Sequence, residues 1–390
     1  MAIQVITWLL FFALIYLLIT SLIFIRNRFE LTPLSTSPTS TEKPKVSVCI
    51  PARNEENKIG KLLASLENQT WENYSVHVMD DQSADRTFEI AESYQKKFPN
   101  NFFVYKGEDK PGNWLGKPWA CYQLSKKSDG DILLFLDADT EVAPTMLEHT
   151  VNSMNHYELD MLTVWPRQKL ITYWENTIIP VVYYTLLTLL PSIYVYRDPR
   201  WMPSKLRKKM APKFAAACGQ CIAFRRDTYG KIGGHEAVKD QVVEDVELAK
   251  TIKKNGYVLR MFNGIGSVTC RMYNNRKEIF EGLRKNFLLG FNENIPAFII
   301  AGLLHLIVFV LPFFTIIFSL LIFDPTIFFL SIACISFILT LRLILALWYR
   351  NNPLFAFTHP IAVLWFQLLA IVKIRDYYSS STIVWKGREV

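Results

Sequence analysis

Long apolar runs at both ends of the chain constrain its fold more than any other feature. Residues 5–25 carry no charged side chain and are long enough to cross a hydrocarbon core of about 30 Å. The last third contains three more apolar runs, over 297–323, 325–348 and 354–372. Buried helices of soluble proteins are seldom this long and this uniformly apolar. The sequence therefore predicts a multi-pass membrane protein.

Basic residues beside these runs indicate their orientation. Arg26 and Arg28 follow the first run directly, so the positive-inside rule places the N-terminus outside and the following segment in the cytosol. Three full crossings near the C-terminus would place the tail outside. The tail is basic, however, and the positive-inside rule favours the cytosolic side for it. Arg342 also interrupts the second C-terminal run. We therefore expect one helical hairpin and one re-entrant or surface-lying segment.

The chain between the apolar ends has the composition of a folded domain preceded by a linker. We predict an anchor over 1–28, a linker over 29–45, a catalytic domain over 46–290, membrane or re-entrant helices over 297–373, and a basic cytosolic tail over 374–390. Residues 178–196 are apolar but contain two prolines and several tyrosines, which favours an interfacial helix over a crossing.

Charge and cysteine content exclude several classes of protein. The net charge of +8 suits an anionic partner, but the basic residues form no stripe and no nucleic-acid-binding motif. Six cysteines in 390 residues are too few for a disulfide scaffold. Cys218 and Cys221 form a CxxC pair, but no second pair has the spacing of a zinc site. We expect a reducing compartment and no nucleic-acid partner.

Residues 46–139 alternate between short β-branched runs and segments with helical apolar spacing. This order predicts an α/β fold, with a mostly parallel sheet and helices on both faces. Ligands of such sheets bind beyond the carboxyl ends of the strands. The polar clusters 53–55, 80–81 and 137–139 all follow predicted strands. The sequence therefore predicts a ligand site at this edge.

Asp137 and Asp139 follow the buried run ILLFL, where two carboxylates are costly unless their charge is neutralised. A divalent cation (Mn²⁺ or Mg²⁺) that bridges to a diphosphate would neutralise them, although turn or helix-capping aspartates are common. The glycine-punctuated segment 112–117 opens a helix with Lys117, a pattern that suits a diphosphate or a plain surface turn.

Two further acidic pairs are candidates for ligand binding or catalysis. Asp80 and Asp81 end a predicted strand, where one carboxylate can accept hydrogen bonds from a base or ribose, or the segment can simply cap the next helix. Glu244 and Asp245 begin a helix predicted to end near Gly256. Acidic residues in a first turn are ordinary partners of the helix dipole, but a general base would also lie near the sheet edge here.

Taken together, these segments resemble the membrane-bound family 2 glycosyltransferases, which have the GT-A fold. The similarity is greatest to bacterial enzymes that glycosylate carotenoids and to hopanoid-associated transferases. It extends in order through IPARNEE, VMDDQSADRT, GNWLGKPWAC, LLFLDADTEVAP, CGQCIAFRRDTYGKIGGHE, VVEDVELAKTIKKNGY, RMY and VWKGR. The combination is specific, although each motif alone is not.

The resemblance implies roles for matching positions. It places a nucleotide sugar against Pro51, Arg53, Glu55, Asp80, Asp81, Lys117 and Asp137, and a metal on Asp137 and Asp139. It makes Asp245 the catalytic base, with Glu244 beside it. On the acceptor side it places Gly219, Gln220, Arg271, Trp385 and Arg388. Processive synthases carry QxxRW where this chain has Arg271-Met272-Tyr273, so the resemblance implies transfer of a single sugar.

The expected function is inverting transfer of one sugar, UDP-glucose being the default donor, to a membrane lipid such as a carotenoid or another isoprenoid. Transfer to a polyprenyl phosphate, a diacylglycerol or a ceramide-like lipid is the alternative within enzymes. A membrane protein that senses a nucleotide sugar without turnover is the alternative from another class. A transporter would carry paired polar residues in several spans, whereas only His305 and Arg342 qualify here.

Overall fold

The computed structural model describes residues 1–37, 43–291 and 293–379, with the backbone of 384–385 and 388–389. The strands are β1 Val46–Ala52, β2 Tyr74–Asp80, β3 Phe102–Lys106, β4 Ile132–Leu136, β5 Thr140–Val142, β6 Met161–Trp165, β7 Arg167–Gln168, β8 Cys221–Arg225, β9 Leu259–Asn263, β10 Val268–Cys270, β11 Val384–Trp385 and β12 Arg388–Glu389.

The helices are α1 Ala2–Glu30, α2 Ile59–Leu66, α3 Thr87–Lys97, α4 Gly116–Lys127, α5 Met146–His156, α6 Tyr173–Leu189, α7 Ile193–Tyr196, α8 Ser204–Met210, α9 Arg226–Lys231, α10 Glu244–Lys254, α11 Arg276–Asn286, α12 Ile295–Phe309, α13 Leu311–Ile322, α14 Pro325–Trp348 and α15 His359–Ser379. Short 3-10 helices cover Ala211–Phe214, Gly234–Val238, Leu289–Phe291 and Pro353–Thr358.

The described chain divides into two compact units. The sheet unit contains Glu30–Lys169 and Ser192–Met272, and the helical unit contains Met1–Phe29, Leu170–Pro191 and the chain from Tyr273 onward. Contacts therefore group 170–191 and 273–290 with the apolar helices. The domain boundaries drawn from the sequence stay a prediction.

A seven-stranded sheet in the order β3-β2-β1-β4-β8-β6-β9 forms the centre of the sheet unit. The neighbours β3, β2, β1 and β4 pair in parallel, whereas β8 runs antiparallel to both β4 and β6. A second, three-stranded sheet has the order β5-β10-β7, and its strand β5 is the first element after β4 along the chain. This arrangement confirms the predicted α/β class with a mostly parallel sheet.

The interior of the sheet unit follows from the sequence pattern. Strand β4 reads ILLFL and is buried at every position, as a central strand covered on both faces should be. Helix α2 turns Ile59, Leu62, Leu63 and Leu66 toward the core at helical spacing. In the loop before it, the Asn54 and Glu55 backbone N–H groups donate to the hydroxyls of Ser83 and of Thr87, the first residue of α3.

Within the described residues, three helical segments of the helical unit are long and apolar enough to cross a membrane, namely Ala2–Glu30, Pro325–Trp348 and Pro353–Ser379. A bent pair, Arg276–Phe291 with Ile295–Phe309, would make a fourth if it counts as one span. The predicted run over 297–323 breaks at Val310, because Pro312 lacks an N–H and its ring clashes with the preceding turn. The number of crossings stays a prediction.

Helix α6 contains the first part, 178–189, of the segment 178–196 that the sequence predicts to be interfacial, and α7 contains its last four residues. Helix α6 begins with a capping box, in which Thr172 and Glu175 each satisfy a backbone N–H of the other. Most of its side chains are buried within the helical unit, whereas Leu186 and Leu189 are exposed. Its depth relative to a bilayer stays a prediction.

A tight approach between two backbones predicts a sensitive position. A Cβ on Gly130 would lie 2.5 Å from the Ser47 nitrogen and 2.8 Å from the Lys45 carbonyl oxygen. We expect Gly130→Ala to destabilise the sheet unit by about 1–3 kcal/mol, because neither backbone atom can move without disturbing β1. The matched control is Gly112→Ala, which adds its methyl group in open space. Thermal unfolding in detergent should show a lower midpoint for Gly130→Ala only, and equal midpoints would contradict the packing argument.

Candidate active site

The polar clusters after β1, β2 and β4 lie at one edge of the sheet, because these strands are parallel neighbours. Asn54 and Gln82, which follow β1 and β2, adopt left-handed backbone conformations with φ of 52° and 56°. The sheet thus places three turns side by side, and two of them contain a conformation that non-glycine residues seldom adopt.

Side chains link the turns after β1 and β2. The Arg53 guanidinium donates hydrogen bonds to the carbonyl oxygens of Asp81 and Gln82, at 2.5 and 3.1 Å. The Glu55 backbone N–H donates to the Thr87 hydroxyl at 2.7 Å. These bonds fix the turns to each other, so Arg53 and Glu55 help to shape this part of the edge.

Asp80 is the last residue of β2 and is almost completely buried, with 6% of its surface exposed. Its Oδ2 accepts a hydrogen bond from the Ser83 N–H at 3.3 Å, whereas its Oδ1 is buried and accepts none within the described part of the chain. An orphaned buried carboxylate oxygen is costly unless a ligand donates to it. Asp80 therefore presents an acceptor for an N–H or O–H group.

Lys117 connects two acidic elements of the site. From the first turn of α4, its Nζ lies 2.8 Å from Asp137 Oδ1 and 3.0 Å from Glu244 Oε1. Burial opposes the charged form, but the charges of Asp137 and Glu244 raise the pKa of Lys117 well above its ordinary value. The lysine is therefore a permanent cation between the end of β4 and the start of α10.

Asp245 lies beside this lysine in the first turn of α10. Its Oδ2 accepts the Gly219 N–H at 2.7 Å, and its Oδ1 accepts the Val246 N–H at 2.8 Å. Burial and the charge of Glu244 raise the pKa of Asp245 to about 6, although Lys117 opposes the shift. Asp245 is therefore ionised at neutral pH and is basic enough to accept a proton.

Gly219 has no side chain and so leaves space for the side chains of Lys117 and Asp245. A Cβ at this position would lie 3.1 Å from Lys117 Nζ and 3.2 Å from Asp245 Oδ2. A side chain here would press on both groups. The glycine that the sequence assigned to the acceptor side thus also permits the close approach of the acid and the lysine.

Asp139, the second carboxylate after β4, has partners that the sequence did not reveal. Its Oδ2 lies 3.7 Å from Lys58 Nζ, and its Oδ1 accepts a contact from the Cys270 thiol at 3.4 Å. Lys58 also lies 3.9 Å from Glu55 and donates to the Met272 carbonyl. Lys58 lies directly before α2 and belongs to none of the motifs recognised in the sequence. Only folding of the chain brings it close to Asp139.

Gln220 belongs to the interior rather than to an open surface. It is 5% exposed, its amide nitrogen donates to the Cys270 sulfur at 2.9 Å, and its amide oxygen accepts from the Gln168 side chain at 3.0 Å. Its backbone oxygen accepts the Asp137 N–H at 3.1 Å. In this conformation the Gln220 carbonyl oxygen holds the backbone of Asp137 in position. The Gln220 side chain would have to give up its hydrogen bonds to Cys270 and Gln168 before it could contact an acceptor.

A small cleft, with room for about one water molecule, lies among many of these residues. Its lining includes Pro51, Lys117, Asp137, Gly219, His235, Glu244 and Asp245. His235 is buried against Phe135 and hydrogen-bonds the Tyr229 hydroxyl at 2.7 Å. Burial lowers the pKa of His235 to about 3, so it is neutral at pH 7 and adds no charge to the cleft.

Other predicted site residues lie apart from this cleft or outside the described chain. Arg53, Glu55, Asp80 and Asp81 lie at the ends of β1 and β2 and do not line it. Arg271 follows β10, and its N–H points to the Asp139 carbonyl at 3.4 Å. The side chains of Trp385 and Arg388 fall outside the described residues, so the roles predicted for them stay predictions.

Removing the cation at position 117 should change how stability depends on pH. The folded-state pKa of Asp245, about 6, lies above its ordinary value of 3.8, so its ionisation costs stability above pH 6 and none below about pH 4. We expect Lys117→Met to raise this pKa further and enlarge the cost at neutral pH, because the cation that opposes the shift is lost.

Thermal unfolding between pH 4 and 8 measures this effect. Lys117→Met should lose most stability at pH 7–8 and approach the wild type near pH 4, whereas Lys117→Arg, which keeps the charge, should stay closer to the wild type throughout. A deficit of Lys117→Met that is the same at every pH would show that its charge is not what stabilises the cluster.

Comparisons with known proteins agree with this architecture. Residues 47–233 match the model of glycosyl transferase family 2, and residues 202–390 match that of glycosyl transferase family 21. A mannosyltransferase of Pyrobaculum calidifontis, solved with GDP-Man and Mn²⁺, superposes with a TM-score of 0.55 at 16% identity, over 95% of this chain and 99% of that one. At this identity the likeness shows the fold alone.

Among curated proteins, the 4,4'-diaponeurosporenoate glycosyltransferase of Staphylococcus haemolyticus is 29% identical over 265 residues, which are 64% of this chain and 63% of the relative. That of Staphylococcus aureus strain N315 is 25% identical over 278 residues, which are 70% and 68% of the two chains. The match thus spans about two thirds of these relatives. Residues 47–233 thus form a domain that matches glycosyl transferase family 2, and the fold is that of the GT-A glycosyltransferases.

Proposed function

We propose that the protein is an inverting transferase that moves one sugar from a nucleotide sugar to a membrane lipid. The observation that carries this proposal is one cluster around the small cleft, in which Asp245 lies beside the cation Lys117 and the carboxylate of Asp137. Such a cluster offers a proton acceptor next to groups that suit a diphosphate. The match of residues 47–233 to glycosyl transferase family 2 supports the same chemistry.

The nucleotide part of the donor would bind at the turns after β1 and β2. The unpaired Oδ1 of Asp80 supplies a buried acceptor for an N–H of the base or an O–H of the ribose. Asp81 and Glu55 lie in the same turns, Arg53 holds the turns together, and Pro51 leads toward the cleft. UDP-glucose is the proposed donor, by resemblance to the family.

Lys117 would compensate the negative charge that builds up on the diphosphate leaving group. It reaches the cleft from the N-terminal turn of α4, where the helix dipole also favours an anion. Its present partners, Asp137 and Glu244, hold it in place until the donor binds. A diphosphate that approached Lys117 would replace part of this carboxylate coordination.

Asp137 and Asp139 fit a divalent cation by the chemistry of their donors. Two carboxylates that follow one strand supply hard oxygen ligands, and phosphate oxygens and water complete the shell of Mg²⁺ or Mn²⁺ in such sites. Among the described residues no group of three or more His, Cys, Asp or Glu is arranged to hold a metal, so the protein alone supplies an incomplete shell. When bound, the ion would supply charge neutralisation at the diphosphate.

The transfer step follows from the position of the base. Asp245 would take the proton of an acceptor hydroxyl while the acceptor oxygen forms a bond to the anomeric carbon of the sugar. The bond between that carbon and the diphosphate breaks on the opposite face, the electron pair leaves with the diphosphate, and the configuration inverts. An acceptor that is already an ionised carboxylate has no proton to remove. Asp245 would then lie next to the acceptor without taking a proton from it.

A lipid acceptor is proposed from the helical unit and from the relatives. Those relatives are named as glycosyltransferases of 4,4'-diaponeurosporenoate. The apolar helices of this chain are long enough to cross a membrane, where a lipid acceptor would dissolve. The proposed location is the inner membrane, with the sheet unit in the cytosol. Polyprenyl phosphates, diacylglycerols and ceramide-like lipids are the alternative acceptors.

A labelling experiment tests the proposal directly. Membranes that contain the full chain are incubated with Mn²⁺ and labelled UDP-sugars, and the extracted lipids are identified by mass spectrometry. We expect one lipid to gain a single sugar, with no product after chelation of the metal. A panel of UDP- and GDP-sugars that yields no glycosylated lipid, with binding but no turnover, would instead support a nucleotide-sugar sensor.

The base assignment predicts a pH profile. Because Asp245 acts when it is ionised, kcat/KM should rise about tenfold per pH unit below pH 6 and level off above it. Asp245→Asn should lower turnover by about 10²–10⁴-fold and remove this rise. The matched control is Asp240→Asn at an exposed position of the same segment. Full turnover of Asp245→Asn on a hydroxyl acceptor would exclude it as the base.

A further inference from the structure

The helical unit contains a buried cation that has no acidic partner among the described residues. Arg342 lies in α14, is 2% exposed, and within the same part of the chain makes one hydrogen bond, from Nη2 to the Phe355 carbonyl at 3.2 Å. Its Nε and Nη1 are buried and have no hydrogen-bond partner in the chain that the structure describes. A guanidinium is always charged and has five N–H donors, so most of its donors stay unsatisfied in an apolar surrounding.

Other unsatisfied polar groups lie near Arg342. His359 is 1% exposed, and neither of its ring nitrogens has a hydrogen-bond partner in the described chain. The Tyr184 hydroxyl is buried and unpaired in the same way. The rings of Tyr184 and His359 are 5.1 Å apart, and the Arg342 guanidinium bonds to the carbonyl of Phe355, four residues before His359. Side chains from α14, α15 and α6 thus bring unpaired polar atoms into one part of the helical unit.

The surroundings of this group are apolar on one side. Phe309 packs against both rings, at 5.1 Å from His359 and 5.7 Å from Tyr184. His305 stacks on Phe309 at 5.5 Å, but its Nδ1 is already bonded to the Ala301 carbonyl. A ligand that satisfied Arg342 would therefore meet aromatic surface next to its charged end.

The depth of the group suits the head of an amphiphile rather than its tail. Arg342 lies six residues before Trp348, which is about 9 Å along the helix from its end. At that same end Arg28, of α1, lies over the Trp348 ring at 4.7 Å. Arginine and tryptophan are typical of the membrane interface, and an interface at this end of α14 would place Arg342 just inside the apolar layer.

We propose that Arg342, His359 and Tyr184 form a binding site for the anionic end of a membrane amphiphile, a carboxylate or a phosphate. Either group accepts two parallel hydrogen bonds from the free edge of a guanidinium, and the Tyr184 hydroxyl and a His359 N–H add donors. The hydrocarbon part of the ligand would extend toward the apolar helices. This inference depends on the helical unit alone and does not require the proposed sugar transfer.

Binding of chain-matched probes to the full protein in a neutral maltoside detergent tests the site. The probes are dodecanoate, dodecyl phosphate, dodecanol and inorganic phosphate at pH 8, measured by native mass spectrometry and by the shift in thermal unfolding. We expect one or both anionic amphiphiles to bind at least tenfold more tightly than dodecanol. Preference for dodecanoate identifies a lipid acid, and preference for dodecyl phosphate identifies a lipid phosphate.

Variants separate this site from a structural role of the arginine. Arg342→Met should lose the preference for anionic probes while binding dodecanol as the wild type does, and Arg342→Lys should retain part of it. The matched control is Ser331→Ala in the same helix, whose hydroxyl is bonded to Thr315 at 2.7 Å, away from the group. Should Arg342→Met not fold, the comparison of probes on the wild type still decides the question.

Three results would overturn the proposal. The first is equal binding of anionic and neutral amphiphiles by the wild type. The second is an unchanged preference in Arg342→Met. The third is binding of inorganic phosphate as tight as that of dodecyl phosphate, because the site would then take a soluble anion and not an amphiphile.

Discussion

The candidate active site depends on one charged contact, in which Lys117 lies between Asp137 and Glu244. These two carboxylates and Asp245 are crowded into a poorly solvated corner, where like charges repel strongly. A single lysine from the first turn of α4 makes their proximity tolerable. The same contact joins the end of β4 to the start of α10, and it thereby holds the proposed leaving-group site next to the proposed base.

The strand order explains why such a contact can form. Strand β8 runs antiparallel to β4, so the chain before Cys221 arrives beside the end of β4, and Gln220 can accept the Asp137 N–H. Gly219, one residue earlier, then binds Asp245 through its own N–H. The antiparallel strand in an otherwise parallel region therefore delivers the backbone that orients both carboxylates.

The two units of the chain place charge in apolar surroundings in different ways. In the sheet unit, each carboxylate near the cleft has a lysine or backbone N–H partner. In the helical unit, Arg342 has one carbonyl partner within the described residues, whereas Arg284 makes a two-point ion pair with Asp376. A buried cation without a counter-charge is costly, and this contrast distinguishes Arg342 from an arginine whose role is structural.

Much of the fold could be predicted from the amino-acid sequence. Alternating β-branched runs and amphipathic segments predicted β1 to β4 and their helices, because burial on both faces of a parallel sheet leaves a strong pattern. The motif order predicted the family. The sequence also predicted that Asp137 and Asp139 follow a buried strand. The break at Val310 was missed, because an apolar run looks continuous although Pro312 interrupts its hydrogen bonds.

The local pattern of the chain by itself determined the α/β class, the apolar helices and the chemical types of the site residues, since these follow from composition and periodicity along the chain. Only the tertiary structure decided which charges meet. Lys58 and Asp139 are 81 positions apart, and Lys117 and Glu244 are 127 apart, so no local pattern records their contacts. The pKa of Asp245 likewise arises from burial and from neighbours that only folding assembles.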